Sequence, residues 1–156
     1  MKKVFIFSAL LFVSELACAC GSNLQRESMA RRLYADADMQ KFVCASDSCS
    51  IGKFKGGLQF HQYNEQYHKK TLFVCIIEPT LSSTNSYTGV FASTGGDFEF
   101  QFISYGTGVN VGVNGGGIPI ISEYSYIDPD NPDNSVNQYL WNGRAFIFAR
   151  NVKLPK

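Results

Sequence analysis

The sequence predicts a mainly β (α+β) domain, in which an antiparallel meander sheet has one N-terminal helix packed on it. One stretch, "SNLQRESMARRLYADADMQ", has apolar residues at helical spacing. From about residue 41 the chain alternates between short apolar runs and turn-forming residues, as strands and their connections do. The composition agrees, because 14 glycines and 14% aromatic residues favour tight turns and strands.

The predicted helix covers about residues 22–40. Ser22 or Asn23 can cap its N-terminus, and Ser22 with Gln25 fits the spacing of a capping box. We expect one face of this helix to pack on the sheet, through four apolar residues: Ala30, Leu33, Tyr34 and Ala37.

The first strands follow the helix. "KFVCAS" predicts a short strand, and "KTLFVCIIE" predicts a central strand that is buried on both faces. Between them, "GLQFHQYNEQYHKK" is read as an exposed edge or connection. "YTGVFAS" predicts a further strand, and "DFEFQFIS" alternates strictly, with Phe98, Phe100 and Phe102 on one face.

The C-terminal strands are shorter. "GVNVGV" places Val109, Val111 and Val113 inward, and "NGGG" turns the chain into "IPIISEYSY". "QYLWNGRAFIF" predicts a hairpin, in which Asn142 and Gly143 supply the positive φ angles of a two-residue type I′ turn.

The first 19 residues predict a signal peptide. Two lysines precede an apolar run at residues 4–13, and Ala17 and Ala19 give the spacing of a cleavage site after Ala19. The run is shorter than the roughly 20 residues that span a bilayer, so we predict no transmembrane segment. We therefore expect a periplasmic or secreted protein whose residues 20–156 form a single β-rich domain. Lipidation of Cys20, giving an outer-membrane lipoprotein, is a less favoured alternative, because Ala17 stands where that processing usually requires a bulky aliphatic residue.

Charge excludes some partners. The chain has 14 basic and 13 acidic residues, and removing residues 1–19 leaves 12 of each. A domain with no net charge has no electrostatic attraction for nucleic acid or anionic lipid, so we predict neither as a partner.

The cysteines indicate disulfides. Cys20, Cys44, Cys49 and Cys75 remain after cleavage, and two bridges among them allow three connectivities. "CASDSC" could close a small loop, whereas Cys44 and Cys75 both lie in strand-like runs and could face each other across a sheet.

No metal or cofactor is predicted. "YIDPDNPDNS" places Asp128 and Asp130 at the spacing of a calcium loop, but Asp133 stands where the required glycine would be, and a polar turn between strands is favoured. His61, Glu65 and His68 would share one side if they were on a helix, which would allow a metal site. The glycine cluster "GTGVNVGVNGGG" precedes a β-like run rather than a helix, so it does not predict phosphate binding.

Catalytic motifs are likewise missing from the sequence, and we predict a protein without enzymatic activity. Carboxylates at Asp97, Glu99 and Glu123 are an open alternative for glycoside hydrolysis, although nothing in the sequence separates their pKa values. Exposed aromatic residues are the favoured binding chemistry, and an aromatic face could form from Tyr124, Tyr126, Tyr139 and Trp141.

The order of "YTGVFASTGGDFEFQF", "GTGVNVGV" and "QYLWNGRAFIFAR" resembles small exported proteins of Gram-negative bacteria. Their terminal hairpin has the pattern Tyr-x-Trp-Asn-Gly-x-x-Phe, which also recurs in proteins with FG-GAP or integrin-like propeller repeats, and here comprises Tyr139, Trp141, Asn142, Gly143 and Phe146. Those repeats usually carry an Asp-rich calcium loop before the central strand, and "KFKGGLQFHQYNEQYHKK" has none. The resemblance implies a fold rather than a function.

"CASDSC" is similar in spacing to the cysteine-closed loop with which periplasmic inhibitors of vertebrate-type lysozyme plug the enzyme's cleft. The basic residue and the histidine of that loop are absent, and only Asp47 corresponds in kind. We therefore expect an envelope protein that binds another protein, with an inhibitor or immunity protein against a cell-wall hydrolase as the most concrete form. Asp47, Asp130 and Asp133 are the residues predicted to enter a cleft of the partner. The alternative is a glycan-binding or small-ligand module that uses the aromatic face.

Overall fold

The computed structural model describes residues 20–46, 48–81, 83–125 and 135–154. Within these residues lie three helices followed by eight strands. The helices are α1 (Asn23–Tyr34), α2 (Ala37–Cys44) and α3 (Ile51–Gly56). The strands are β1 (Leu58–Tyr67), β2 (Lys70–Pro79), β3 (Ser86–Ser93), β4 (Glu99–Gly106), β5 (Gly108–Val113), β6 (Pro119–Tyr124), β7 (Ser135–Trp141) and β8 (Phe146–Lys153).

The strands confirm the predicted fold class, since the chain is mainly β, antiparallel and ordered as a meander. They form two sheets rather than one, a first sheet in the order β1-β2-β3-β4 and a second in the order β5-β6-β7-β8. The chain passes from one sheet to the other through Thr107, between Gly106 and Gly108. Gly108 has a φ of 146°, a conformation that side chains with a Cβ rarely adopt, so the glycine permits the change of sheet.

Two cores lie on opposite faces of the first sheet. The core facing the helices, called the helix-side core, consists of Cys20, Met29, Ala30, Leu33, Met39, Cys44, Phe54, Leu58, Cys75, Ile77 and Phe91. The intersheet core consists of Leu72, Val74, Ile76, Val90, Ala92, Ile121, Trp141 and Phe146. Because β2 contributes to both cores through alternate residues, it is buried on both faces, as its long apolar run predicts.

The one predicted helix is confirmed at its start, but the stretch 22–40 is divided between α1 and α2. Ser22 caps α1, and its reciprocal hydrogen bonds with Gln25 form the predicted capping box. The helix ends at Tyr34, and a new helix begins because the side chain of Asp36 accepts a hydrogen bond of 2.9 Å from the backbone N–H of Met39.

The end of α2 replaces the strand predicted at "KFVCAS", since the first four residues of this stretch are helical. A further helix, α3, follows with Ser50 as its cap. Burial explains the difference, since Met39 and Cys44 of α2 and Phe54 of α3 enter the helix-side core. Apolar helix faces that pack on a sheet outweigh the weak strand preference of a six-residue run.

The prediction that the phenylalanines of β4 share one face is wrong, because the strand contains a β-bulge. The pairing with β3 shifts between Val90 and Phe91, whose partners are Phe102 and Phe100. The extra residue reverses the alternation, so Phe98 and Phe100 pack against the helix-side core, while Phe102 packs against the intersheet core.

The hairpin turns also differ from the prediction. The "QYLWNGRAFIF" hairpin exists, but Trp141 pairs with Phe146, which leaves a four-residue loop. The side chain of Asn142 closes this loop by accepting hydrogen bonds from the backbone N–H groups of Arg144 and Ala145. A two-residue turn with two positive φ angles occurs instead between β1 and β2, at His68 (48°) and Lys69 (62°).

Two disulfides join the predicted cysteines. Cys20 is bonded to Cys75, which ties the start of α1 to the centre of β2, and Cys44 is bonded to Cys49 between α2 and α3. Because the sulfur of Cys20 is in this bond, it is not free to carry a lipid. Among the described residues, no helix is long and apolar enough to cross a membrane.

Candidate functional site

The predicted aromatic residues are divided between two faces of the second sheet. Ile121 pairs with Tyr139, and both side chains face the intersheet core, as does Trp141. Tyr124 lies three residues after Ile121 on the same strand, so the alternation places it on the outer face. Tyr126 lies outside the described residues. Only Tyr139 and Trp141 are therefore brought together.

Tyr139 connects the two sheets. Its ring stacks on Phe102 of β4 at a centroid distance of 4.6 Å, and its hydroxyl donates a hydrogen bond of 2.8 Å to Glu123. Burial raises the pKa of Tyr139 well above its usual range, and the hydrogen bond to Glu123 and the charge of that carboxylate raise it further. Tyr139 is thus held neutral between the sheets, where it packs rather than presents a free hydroxyl.

Trp141 is almost fully buried. Only 4% of its surface is exposed, and its ring packs on Phe146 at a centroid distance of 5.1 Å. Its indole N–H is buried and has no hydrogen-bond partner among the described residues. Most buried polar groups in folded proteins have a partner, so an unpaired one calls for a physical explanation.

Two cavities adjoin Trp141 at one end of the molecule. The first has a volume of about 260 Å³ and lies between the β3–β4 loop and the β7–β8 loop. The second has a volume of about 240 Å³ and lies under the β1–β2 turn. They share the lining residues Thr94, Trp141 and Gly143, so they are neighbouring parts of one concave region, called here the Trp141 cleft.

Charges of both signs line the Trp141 cleft. Asp97, Glu99 and Arg144 line the first cavity. His68 and Lys70 line the second cavity. Among the described residues, no ion pair involves any of these five side chains.

The residues considered as alternative metal ligands or paired carboxylates are spread over the fold. His61 lies on β1 and His68 in the turn after it, about 20 Å apart at the rise of a strand, so the alternative of a helix that would bring them together does not occur. The stretch is instead an edge strand, as the favoured prediction has it. Asp97 and Glu99 line the Trp141 cleft, whereas Glu123 is on β6 of the second sheet and binds Tyr139. Among the described residues, no group of three His, Cys, Asp or Glu side chains could hold a metal ion.

The edge of the second sheet exposes apolar side chains. β8 is the last strand of this sheet, and five consecutive residues in it, from Ile147 to Asn151, are exposed. Ile147 is 51% exposed and Phe148 is 59% exposed. Ile147 pairs with Leu140 and Phe148 with Tyr139, so the two apolar side chains lie on opposite faces of the strand.

The loop closed by Cys44 and Cys49 rests on α1. The hydroxyl of Tyr34 donates a hydrogen bond of 2.6 Å to the carbonyl oxygen of Cys49, and Ser46 donates to the carbonyl of Ser48. Asp47, the residue predicted to enter a partner's cleft, lies outside the described residues.

The Asp-rich segment begins and ends at one point of the second sheet. The backbone N–H of Ser125 donates a hydrogen bond of 2.9 Å to the carbonyl of Ser135, and Ser135 pairs with Lys153 at the end of β8. Asp130, Asp133 and the predicted turn at 126–134 lie outside the described residues.

Sequence reasoning missed most of the Trp141 cleft. Thr94, Arg144 and His68 come from three connections that are far apart in the chain, and only the packing of the two sheets brings them together. The available signal was indirect, since each of these residues lies next to a strand end, where polar side chains converge on one edge of a sandwich.

Comparison with known proteins places the chain in no family: no family model, curated protein or solved structure matches it. The resemblances to small exported proteins with the terminal hairpin and to periplasmic lysozyme inhibitors therefore stay predictions.

Proposed function

We propose that this chain is an exported, non-enzymatic envelope protein that binds another protein, and that the partner docks on the free edge of β8. The observation that carries the proposal is the exposure of Ile147 and Phe148 on β8, which pairs with a strand on one side only within the described part of the chain. An exposed apolar edge promotes aggregation unless another chain covers it.

The edge of the first sheet provides a contrast within the same molecule. β1 is also an edge strand, but four of its five exposed side chains are polar: Gln59, His61, Asn64 and Gln66. Polar side chains on an edge oppose pairing with other chains. β8 instead presents Ile147, Phe148 and Ala149 in succession, and it contains no acidic residue.

Strand addition fits this edge. A partner strand would form main-chain hydrogen bonds with β8, while its alternate side chains would meet Ile147 on one face and Phe148 on the other. The aromatic ring of Phe148 is braced from inside by Tyr139, at a centroid distance of 5.8 Å, so the partner would find an ordered apolar surface.

The disulfides favour a compartment outside the cytoplasm, because such bonds persist in oxidising environments. Together with the predicted signal peptide, they support a periplasmic or secreted location. An inhibitor or immunity protein against a cell-wall hydrolase is the concrete form that we propose. Asp130 and Asp133 stay predictions from the sequence for residues that enter a cleft of the partner, since both lie outside the described residues.

The alternative function, glycan binding by an aromatic face, has less support. Tyr124 and Tyr139 lie on opposite faces of the second sheet, and the hydroxyl of Tyr139 is engaged by Glu123. One observation does favour a ligand-binding role, namely the Trp141 cleft, which is lined by charges of both signs.

The test is site-specific photo-crosslinking in the native envelope. A photoreactive phenylalanine analogue replaces Phe148 in one variant and Tyr63 in the other, since Tyr63 is 38% exposed on the polar edge β1. We expect the Phe148 variant to give a discrete adduct with one envelope protein and the Tyr63 variant to give none. The captured protein is then identified by mass spectrometry.

Binding by the purified partner completes the test. Ile147→Lys and Phe148→Lys should each weaken the affinity by about tenfold or more, because each buries a charge in an apolar contact. Tyr63→Lys should leave the affinity unchanged. Equal adducts at the two positions, or unchanged affinity in the β8 variants, would refute docking on this edge.

A further inference from the structure

The free edge of β8 carries positive charge and no negative charge. The strand contains Arg150 and Lys153 and no acidic residue. Ile147 and Phe148 on the same strand would accept any apolar partner strand. The charge of the edge is therefore the feature that can select one kind of partner strand over another.

The guanidinium of Arg150 is exposed and is oriented by a neighbouring strand. Its Nε–H donates a hydrogen bond of 2.7 Å to the side-chain oxygen of Gln138 on β7. Among the described residues, no carboxylate forms an ion pair with Arg150. Because the bond to Gln138 uses the Nε–H, the two Nη groups can together bind the two oxygens of a carboxylate from outside.

A β-bulge places Arg150 on the same face of the sheet as Ile147. Their partners on β7 are Gln138 and Leu140, which are two residues apart and so share the outer face. Ala149 is the extra residue of the bulge, since it has no partner in this register. A strand that pairs with the free side of β8 in the same way would meet Arg150 and Ile147 with side chains of one face.

Arg150 also has apolar neighbours on this outer face. A cavity of about 270 Å³ is lined by Arg150 together with Ile120, Leu140 and Ala149. A carboxylate bound to Arg150 beside these side chains is partly removed from water, and a charge-assisted hydrogen bond is stronger there than in full solvent. The position therefore suits a carboxylate that belongs to a strand with apolar neighbours.

The same charge disfavours a second copy of this chain as the partner. If two β8 strands paired antiparallel about a two-fold axis, both Arg150 side chains would lie on one face of the joined sheet, and neither strand would supply an acidic residue. Like charges on neighbouring strands are destabilising, and charged side chains protect sheet edges from pairing with one another. An acidic strand instead converts this repulsion into attraction.

Resting on the proposed docking at β8, we propose that the partner presents an extended acidic segment, which adds to β8 as an antiparallel strand and pairs a carboxylate with Arg150. Along the partner chain, the acidic residue is followed by an apolar residue that meets Phe148 and then by one that meets Ile147. This register copies that of residues 138–140 of β7 on the other side of β8. The strand pairs of this sheet are antiparallel, and such pairs are slightly more stable per residue than parallel ones.

Matched peptides with blocked termini test the proposal on the purified, isotope-labelled protein. The probe is Thr-Thr-Glu-Val-Val-Thr-Thr, and two further peptides carry Lys or Gln in place of Glu. The NMR shifts of the β8 backbone amides measure binding. We expect saturable shifts with a dissociation constant of about 1 mM or lower for the Glu peptide and about tenfold weaker binding of the Lys peptide. The Gln peptide should lie between them, and the reversed sequence Thr-Thr-Val-Val-Glu-Thr-Thr should bind more weakly than the Glu peptide.

An exchange of charges separates recognition by Arg150 from a structural role. Arg150→Glu should reverse the preference, so that the Lys peptide binds about tenfold more tightly than the Glu peptide. Arg144→Glu makes the same change in net charge in the loop before β8 and should keep the original preference. Ile147→Asn should weaken the Glu and Lys peptides alike, because it removes an apolar contact that both share.

The outcomes distinguish failure of this proposal from failure of the docking itself. Equal binding of the Glu and Lys peptides, or a preference that Arg150→Glu leaves unchanged, would overturn the acidic partner; docking on β8 would stand if Ile147→Asn still weakens both peptides. A lack of shifts in the β8 amides with the Glu peptide would also overturn it. A dimer in sedimentation that Ile147→Asn dissociates would assign the edge to a second copy. Docking on β8 would fail instead if the photoreactive residue at position 148 captured no partner in the envelope.

Discussion

Gly106 is the residue whose size matters most to the connection between the two sheets. It ends β4, and a Cβ added to it would collide with the carbonyl oxygen of Tyr124 on β6. This oxygen cannot easily move, because it accepts a hydrogen bond of 3.2 Å from the backbone N–H of Thr107. Only glycine allows the two strands to approach this closely.

Replacing Gly106 by alanine should therefore destabilise the protein by about 1–3 kcal/mol, the range for overpacking at a tight contact. Urea denaturation followed by circular dichroism measures the loss. Gly112→Ala is the matched control, because Gly112 lies on β5 with no atom within 4 Å of an added Cβ. We expect the control to change stability by no more than about 0.5 kcal/mol. Equal losses in the two variants would contradict the argument.

At the scale of elements, the sequence correctly predicts the helix and the strand that carry a strong local signal. The capping box at Ser22 and the run that becomes β2 are both found as predicted, because caps and long apolar runs act locally. The helices α2 and α3 are not predictable in the same way. Phe54, in the glycine-containing "IGKFKG", is helical because it is fully buried against α1 and the first sheet, which is a tertiary effect.

The bulge in β4 could not be predicted from the sequence either. "DFEFQFIS" alternates without a break, yet Gln101 is the extra residue opposite β3. Its side chain accepts a hydrogen bond of 3.0 Å from the backbone N–H of Phe146, on the other sheet. This hydrogen bond joins residues 45 positions apart in the chain, so no local pattern could indicate it.

Within the helix layer, an ion pair connects Glu27 of α1 to α3. It accepts a hydrogen bond of 2.7 Å from the ammonium group of Lys55 and pairs with Arg31 one turn along its own helix. The hydrogen bond from Lys55 lowers the pKa of the Glu27 carboxyl; burial opposes the shift, and the charges of Lys55 and Arg31 add to it. A carboxyl whose pKa is lowered by folding stabilises the protein above its unfolded pKa, and this stabilisation is lost as the pH falls through the folded value.

Glu27→Gln should consequently lower the melting temperature slightly at pH 7, and the difference from the unchanged protein should disappear in acid, below the usual glutamate pKa of about 4.3. Thermal unfolding at a series of pH values measures this difference in melting temperature. Glu65→Gln on β1, away from the helix layer, is the control and should show no such pH-dependent difference. A Glu27→Gln effect that persists unchanged at low pH would show that packing, not charge, holds the contact.

At the scale of the whole molecule, the Trp141 cleft could not be predicted because it is assembled from three connections. Lys70, Glu99 and Arg144 are separated by long stretches of chain, and none stands in a motif. The prediction from the aromatic residues located one of the relevant strands, β7, through Tyr139 and Trp141, but not which face each residue occupies. That assignment depends on the packing of two sheets, and strand alternation alone does not specify which face is inward.

Among the described residues, Cys20–Cys75 is the one disulfide that joins the helix layer to the first sheet, and its loss should affect the entire fold. It spans 55 residues, whereas Cys44–Cys49 spans 5. A disulfide constrains the unfolded chain more when it closes a longer loop, by about 4 kcal/mol for the first bridge and about 2 kcal/mol for the second. We therefore expect the Cys20→Ala/Cys75→Ala variant to lose about twice as much stability as the Cys44→Ala/Cys49→Ala variant in guanidinium denaturation at 25 °C.

Hydrogen exchange should also become faster in α1 of the Cys20→Ala/Cys75→Ala variant, because Cys20 is fully buried at the start of this helix, but not in β6 and β7 of the second sheet. If the shorter bridge proves to contribute as much as the longer one, the helix layer is held to the first sheet by its apolar contacts and the covalent tie is secondary.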